Sequence, residues 1–240
     1  VGSEMCIRDS YFVDNVDYSG STSLINKLKM GINIIYSQEA KRKFEELVIK
    51  TKPDIVHLHM VLSVGELSSR KNQKIIIEAL GMLDRKEQYV FVICGRAVVN
   101  STIEEELKET ASRLGVRIFL AGHRLDIPKI NACADVAVIP SVREGFGMTG
   151  VEALASGVPV VGSDVQGIRE YVIPGKTGYL CDPYDAHQFA DAIEKIVNLP
   201  SEERAKMVIA CKEKAKEFDV SKSIAAMKNI YQEVLCHDGK

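Results

Sequence analysis

Apolar residues beyond position 60 occur in short runs that alternate with amphipathic segments of helical period. The runs are β-branched and apolar at successive positions, which is typical of strands in a parallel sheet covered on both faces. The segments between them repeat an apolar residue at helical spacing, as surface helices do. This alternation predicts an α/β protein with a doubly wound parallel sheet. The predicted strands are Val61–Gly65, Tyr89–Gly95, Val116–Gly122, Asp135–Ser141, Val158–Ser163 and Gly178–Asp182.

Individual residues mark the ends of the predicted helices. Thr102 and Glu105 have the spacing of a capping box, and Gly115 is placed to end the same helix. Asp185 and Ser201 predict the starts of two later helices.

The last predicted helix carries an apolar stripe. Because such stripes usually face a protein interior, it predicts core packing. The stripe consists of Ile224, Met227, Ile230, Tyr231 and Val234.

The chain before Val61 has a different organisation. "SQEAKRKFEELVIKTKPD" predicts a helix, and "DIVHLH" predicts a strand that continues into "MVLSVG" without a turn. Parallel strands need a connection of at least about ten residues. Either residues 54–64 form one long strand, or a piece of chain is missing at Met60/Val61, and we favour the second. The first ten residues, "VGSEMCIRDS", resemble a translated adapter and are left out of the fold prediction.

Composition removes several classes of function. Among 240 residues the net charge is −2, so no basic field favours nucleic acid as a partner. No apolar run approaches the roughly 20 residues that a membrane span needs. The six cysteines are scattered without the spacing of a metal site, which favours a reducing cytoplasm and predicts no metal ion.

The segment "PSVREGFGMTGVEALASGVPVV" concentrates candidate chemistry where a strand meets a helix. Glu144 and Glu152 flank a turn that contains Gly145 and Gly147. Amides at a helix start attract anions, and glycine lets a ligand approach the backbone. Carboxylates accept charge-assisted hydrogen bonds from sugar hydroxyls. Together these groups suit a sugar phosphate.

A plainer interpretation of the same residues stays open at this point. Glu152 lies three residues after Thr149 and could close a capping box. Glu144 could equally be a solvated loop acid. A glycosidase would also use two carboxylates, but the helix start beside them argues against hydrolysis.

The segment through "GVPVVGSDVQG" resembles the E-x7-E region of the family 4 retaining glycosyltransferases, which have the GT-B fold. The resemblance covers most of Val61 to Leu235 and includes "GKTGYLCDPYD". It implies a Rossmann-like donor lobe over residues 61–240. Residues 11–60 would be a remnant of the acceptor lobe, and residues 1–10 a non-native scar.

The resemblance also implies roles for individual residues. Glu144 would contact the hydroxyls of the donor sugar, Glu152 the ribose, and Lys71 the diphosphate. Glu66 departs from the family pattern, which often has arginine there, and Arg70 could supply that charge. The other implied site residues are Gly65, Gly145, Phe146, Gly147 and Met148 around the phosphates and sugar, His123 and Arg124 near the base, and His57 and His59 on the acceptor side.

The implied reaction moves a hexose, with retention, from a nucleotide-diphosphate sugar to a glycan or lipid-linked acceptor. It requires no cofactor, and the expected location is the cytoplasm or the inner face of the membrane, with peripheral association. Whether this chain alone is active stays open. The alternatives are a non-catalytic nucleotide-sugar-binding module that needs a partner lobe, and a GT-B-fold nucleotide-sugar epimerase.

Overall fold

The protein is represented by a computed structural model that describes residues 58–237, with side chains as far as residue 233. Its strands form one six-stranded sheet in the order β3-β2-β1-β4-β5-β6. Every neighbouring pair is parallel. All six predicted strands and the α/β class are therefore confirmed. The strands are β1 (His59–Val64), β2 (Tyr89–Cys94), β3 (Ile118–Gly122), β4 (Val136–Ile139), β5 (Val160–Ser163) and β6 (Gly178–Cys181).

Helices connect the strands and cover the sheet. Contacts join α1 to α2 and α6, whereas α4 packs against α7. Short 3-10 turns occur at Lys86–Gln88 and Lys216–Phe218. The helices are α1 (Gln73–Gly81), α2 (Ile103–Leu114), α3 (Ile127–Asn131), α4 (Met148–Ala155), α5 (Gln166–Arg169), α6 (Ala186–Val197), α7 (Ser201–Ala215) and α8 (Val220–His237).

The core forms because the central strands are apolar on both faces. Every residue of β2 is buried, and so is every residue of β4. Helix α1 contributes Ile76 and Leu80, which are fully buried against the sheet. Cys94, Cys181 and Cys211 are buried free thiols within the same core.

The strand order decides where a ligand can bind. β1 and β4 are neighbours, but the chain leaves β1 towards β2 and leaves β4 towards β5. The loops that follow these two strands therefore diverge and leave a crevice at the carboxyl edge of the sheet. The loop after β4 contains Glu144 and the glycine turn.

The predicted helix ends are mostly right. Gly115 ends α2 in the left-handed conformation, with φ 67°. Asp185 caps α6 by accepting the backbone N–H groups of His187 and Gln188. The capping box of Thr102 is wrong, because its hydroxyl donates to the Glu106 carboxylate at 2.8 Å and caps no backbone N–H.

The prediction that the stripe on α8 is core is wrong. Ile224, Met227, Ile230 and Tyr231 are 49%, 48%, 52% and 61% exposed within the described residues. The side chain of Val234 lies outside them. Periodicity identifies which face of a helix is apolar, but it contains no information about what covers that face.

β1 begins at His59, so two residues before the predicted boundary at Met60/Val61 belong to the sheet. Met60 pairs with Val90 and Val61 with Phe91. Residues before 58, including His57, lie outside the described structure. The assignment of residues 11–60 to an acceptor-lobe remnant stays a prediction.

The helices within residues 58–237 include none with both the length and the apolar character that crossing a bilayer demands. Over the same range, no three histidine, cysteine, aspartate or glutamate side chains gather closely enough to hold a metal ion.

Candidate functional site

An ion pair joins the loops that follow β1 and β4. Lys71 Nζ lies 2.5 Å from Glu144 Oε2, and the Ser141 hydroxyl donates to the same oxygen at 3.1 Å. The Lys71 and Glu144 side chains are only 18% and 11% exposed. The crevice at the switch point of the sheet therefore contains a largely buried pair of opposite charges.

The surroundings of Glu144 keep its carboxylate ionised. Burial raises the pKa of Glu144, but the hydrogen bond and charge of Lys71 oppose this, aided by Ser141 and Arg70. The net result is a pKa below the ordinary value of 4.5. Glu144 is thus an acceptor for hydroxyl or ammonium groups and not a proton donor at neutral pH.

This lowered pKa predicts a pH-dependent contribution to stability. Glu144 ionises more readily in the folded protein, so its contribution is fully present above the unfolded pKa. It is lost as the pH falls through the folded pKa. We therefore expect the difference in unfolding free energy between the wild type and Glu144→Gln to be constant above about pH 5 and to shrink below about pH 4. Urea unfolding between pH 3 and pH 7 measures this, and a difference that grows in acid would contradict it.

Gly65 lies directly after β1 and beneath the stem of Lys71. Its φ is +152°, and a Cβ added there would lie 3.7 Å from Lys71 Cε. Gly65 N–H donates to the carbonyl of Cys94 at 2.9 Å. A Cβ on Gly95, after β2, would lie only 1.7 Å from the carbonyl oxygen of Gly65. The backbone around Gly65 is therefore held against the end of the neighbouring strand β2.

Helix α4 presents an uncapped amino end to the crevice. Its N-cap is Gly147, with φ 79° and no side chain that bonds the first amides. Because α4 begins at Met148, Thr149 lies inside the helix and cannot form a capping box with Glu152. Met148 and Glu152 are one turn apart on the same face, and both are exposed. The capping interpretation of Glu152 is therefore wrong.

Aromatic packing holds the glycine turn from below. The Phe146 ring contacts Tyr171 and Phe218 edge-on, with centroids 5.8 and 5.3 Å away. Tyr171 is fully buried, and a Cβ on Gly150 would lie 2.5 Å from its ring. The Phe146 side chain therefore packs towards the core. Glycine at position 147 of the turn and at position 150 of α4 thus makes room for Tyr171.

Several of these supporting residues were not assigned a role from the sequence. They are Ser141, Gly95 and Tyr171. The spacing of Ser141, three residues before Glu144, was the available signal, since serine often bonds groups nearby in the chain. Gly95 and Tyr171 contact segments that are distant in the sequence. No local sequence pattern could therefore predict their roles.

The predicted residues of the base and acceptor sides do not lie beside the Lys71–Glu144 pair, as far as the structure describes them. His123 and Arg124 follow β3, two strands away from β1 at the same edge of the sheet. His123 is exposed, and Arg124 holds Asp126 through two hydrogen bonds of 2.8 and 2.7 Å. This is where a group extending from the crevice along the sheet edge would arrive.

His59 lies on the side of the sheet where the strands begin, because it is the first residue of β1. Gly65 lies on the side where the strands end, because it follows the last residue of β1. Its ring contacts Tyr89, with centroids 5.3 Å apart, and its Nδ1 lies 4.0 Å from Asp135 Oδ2. The structure therefore does not bring His59 together with Glu144. His57 falls outside the described residues.

A cavity of about 500 Å³ adjoins the ion pair. Arg70 lines it and donates from Nη1 to the carbonyl of Arg143 at 3.3 Å. Glu66, the residue that departs from the family pattern, is exposed, and its carbonyl accepts the amide of Gln73 at 2.8 Å. The cavity is lined by Arg70, Val142, Arg143, Glu144, Gly145, Val165 and Gln166.

Known glycosyltransferases are similar to this chain in fold and in sequence. The Anabaena protein Alr3699/HepE, solved with UDP and glucose, superimposes with a TM-score of 0.69 at 26% identity. That match covers 84% of this chain and 55% of the Anabaena chain. A D-inositol 3-phosphate glycosyltransferase of Corynebacterium jeikeium is 32% identical over 71% of this chain and 42% of its own length.

A lipopolysaccharide core biosynthesis mannosyltransferase of Rhizobium meliloti, LpsB, is 27% identical over 71% of this chain and 50% of its own length. The chain thus spans about half the length of the curated relatives that it matches. The family model for the glycosyl transferases group 1 matches residues 41–216, which is most of the sequence. The chain belongs to the glycosyl transferases group 1 family, with a Rossmann-like α/β lobe of the GT-B type.

Proposed function

We propose that the crevice binds a nucleotide-diphosphate sugar and that the protein transfers its hexose, with retention, to a glycan or lipid-linked acceptor. The observation that carries this proposal is the Lys71–Glu144 pair at the switch point, beside the uncapped start of α4. It places a cation and backbone donors next to a fixed carboxylate. Diphosphates and sugar hydroxyls need these two kinds of partner.

Each residue would have a separate task in donor binding. Lys71 and the first amides of α4 would hold the diphosphate over Gly65. Glu144 would fix the Lys71 ammonium with one oxygen and accept donor-sugar hydroxyls with the other. Glu152, exposed one turn into α4, would accept the ribose hydroxyls, and the loop of His123 and Arg124 would frame the base.

In the proposed reaction the bond between the anomeric carbon and the diphosphate oxygen breaks, and its electron pair stays on that oxygen. The acceptor hydroxyl forms the new bond to the same carbon, and its proton passes to an oxygen of the leaving diphosphate. Lys71 and the α4 amides stabilise the negative charge as it develops, which is usually the largest contribution to catalysis. This assignment needs no metal ion, so we expect a chelator to leave nucleotide binding unchanged.

Support for a uridine nucleotide comes from the Anabaena neighbour, which was solved with UDP and glucose. The acceptor side is not defined by the described residues. A non-catalytic sugar-nucleotide-binding module therefore stays the second candidate, and donor binding and sugar transfer must be measured separately. An epimerase would instead release an altered nucleotide sugar without any acceptor.

Calorimetric titration with UDP, GDP and ADP tests donor binding. We expect one of the three to bind and Glu152→Ala to weaken it about 10- to 100-fold, because hydrogen bonds to a charged group contribute about 1.5–3 kcal/mol. Glu109→Ala, which removes an exposed carboxylate on α2, is the control and should bind normally. Binding of none of the three nucleotides, or equal binding by both variants, would overturn the assignment. Transfer from a radiolabelled donor then separates an enzyme from a binding module.

A further inference from the structure

The cavity beside Glu144 has a positive lining that donor binding does not use. We call it the arginine pocket and define it by Arg70, Arg143, Glu144, Gly145 and Gln166. It lies beyond the carboxyl ends of β4 and β5, next to the carboxylate assigned to the donor sugar.

Charges in the arginine pocket do not cancel. The Glu144 carboxylate is already paired with Lys71, so it offers little compensation to other cations. Among residues 58–237, neither Arg70 nor Arg143 forms an ion pair with a carboxylate. Asp164, at the end of the neighbouring strand β5, is bound to Arg169 at 2.5 Å. Two arginines therefore line the pocket with a single carboxylate, that of Glu144, which Lys71 already binds.

The frame of the pocket is held by backbone contacts. Val142 N–H donates to the carbonyl of Arg70 at 2.9 Å, which joins the loops after β1 and β4. A Cβ added to Gly167 would lie 2.2 Å from the carbonyl oxygen of Gly145, so the loop after β4 touches α5, which follows β5. The two arginines thus project from loops whose backbones support each other. Both arginine side chains are exposed, so the ordering cost of binding an anion is limited to these side chains and does not include the backbone.

We propose that the arginine pocket binds a phosphate or carboxylate group on one of the two sugars that meet at Glu144. The guanidinium groups of Arg70 and Arg143 donate to its oxygens, for which their planar geometry is suited. In this assignment Arg70 serves the arginine pocket and not the diphosphate of the donor. The proposal rests on the proposed function for the identity of the two sugars.

Two sources of the anion are distinguishable by matched pairs of ligands. An acid group on the transferred sugar would make UDP-glucuronate bind more tightly than UDP-glucose. A phosphate on the acceptor would make glucose 6-phosphate bind more tightly than glucose, both measured with and without UDP. Titrations at low ionic strength keep exposed charges unscreened. In one of these pairs we expect the anionic member to bind at least about tenfold more tightly.

Arg143→Gln is expected to reduce that anionic-to-neutral ratio to near one. The control is Arg113→Gln, which removes an exposed guanidinium at the end of α2 and should leave the ratio unchanged. The proposal would be overturned if the wild type binds the anionic and neutral members of both pairs equally. It would also be overturned if the anionic-to-neutral affinity ratio stays high in Arg143→Gln. A third outcome is that the protein binds no nucleotide but prefers glucose 6-phosphate to glucose, and that this preference depends on Arg143. That outcome would support the arginine pocket and overturn the proposed function.

Discussion

Lys71→Gln is expected to weaken UDP binding about 10- to 100-fold while changing the affinity for uridine much less. The lysine supplies the side-chain cation closest to Glu144, and a hydrogen bond to a charged group contributes about 1.5–3 kcal/mol. Uridine lacks the diphosphate, so its binding reports only on the base and ribose contacts. Calorimetry with both ligands gives the ratio that measures the phosphate contribution.

Two companion variants make this result specific. Lys71→Arg keeps the charge and should recover part of the UDP affinity, although its planar group does not reproduce the ammonium position. Lys74→Gln removes an exposed lysine from the first turn of α1 and should behave like the wild type. If Lys71→Gln weakens uridine and UDP equally, Lys71 is a structural partner of Glu144 and not a phosphate ligand.

Gly95→Ala is expected to destabilise the fold by about 3 kcal/mol, at the upper end of overpacking costs. The new methyl group would lie 1.7 Å from the carbonyl oxygen of Gly65, so the backbone after β1 or β2 must move. Urea unfolding measures the loss of stability. Because Gly65 also lies beneath Lys71, the folded fraction should bind UDP more weakly than the wild type.

Gly175→Ala is a comparison variant in which the substitution is expected to cause backbone strain but no steric clash. Gly175 has φ +75°, but a Cβ there meets no atom within 4 Å, so only backbone strain of about 1–2 kcal/mol is expected. A Gly95→Ala variant that is as stable as Gly175→Ala would show that the backbone of Gly65 yields easily, contrary to the rigid frame described above.

Strand positions were predictable because burial on both faces leaves a strong local signal. β2 reads "YVFVIC" and is buried at every position. Caps with one decisive residue were also predictable, as Gly115 and Asp185 show. The cap at Thr102 failed because its hydroxyl donates to the Glu106 carboxylate one turn on and so does not accept from the backbone of the helix.

The partners of the site residues were less predictable. Glu144 and Lys71 were each identified through a family resemblance, but their direct contact is a product of the β1–β4 adjacency. The exposed apolar stripe on α8 is a second case in which the sequence did not predict what surrounds a residue. Its apolar period was read correctly, yet its environment depends on what lies next to it in space.

The sequence by itself determined the α/β class, the six strands, the glycine turn and the two glutamates, because each rests on residues close together in the chain. Only the tertiary structure decided that Lys71 pairs with Glu144, that Tyr171 supports Gly150, and that Arg70 and Arg143 line one cavity. These contacts join segments separated by many residues. Their geometry is set by the strand order and by close packing of loops, which local periodicity does not encode.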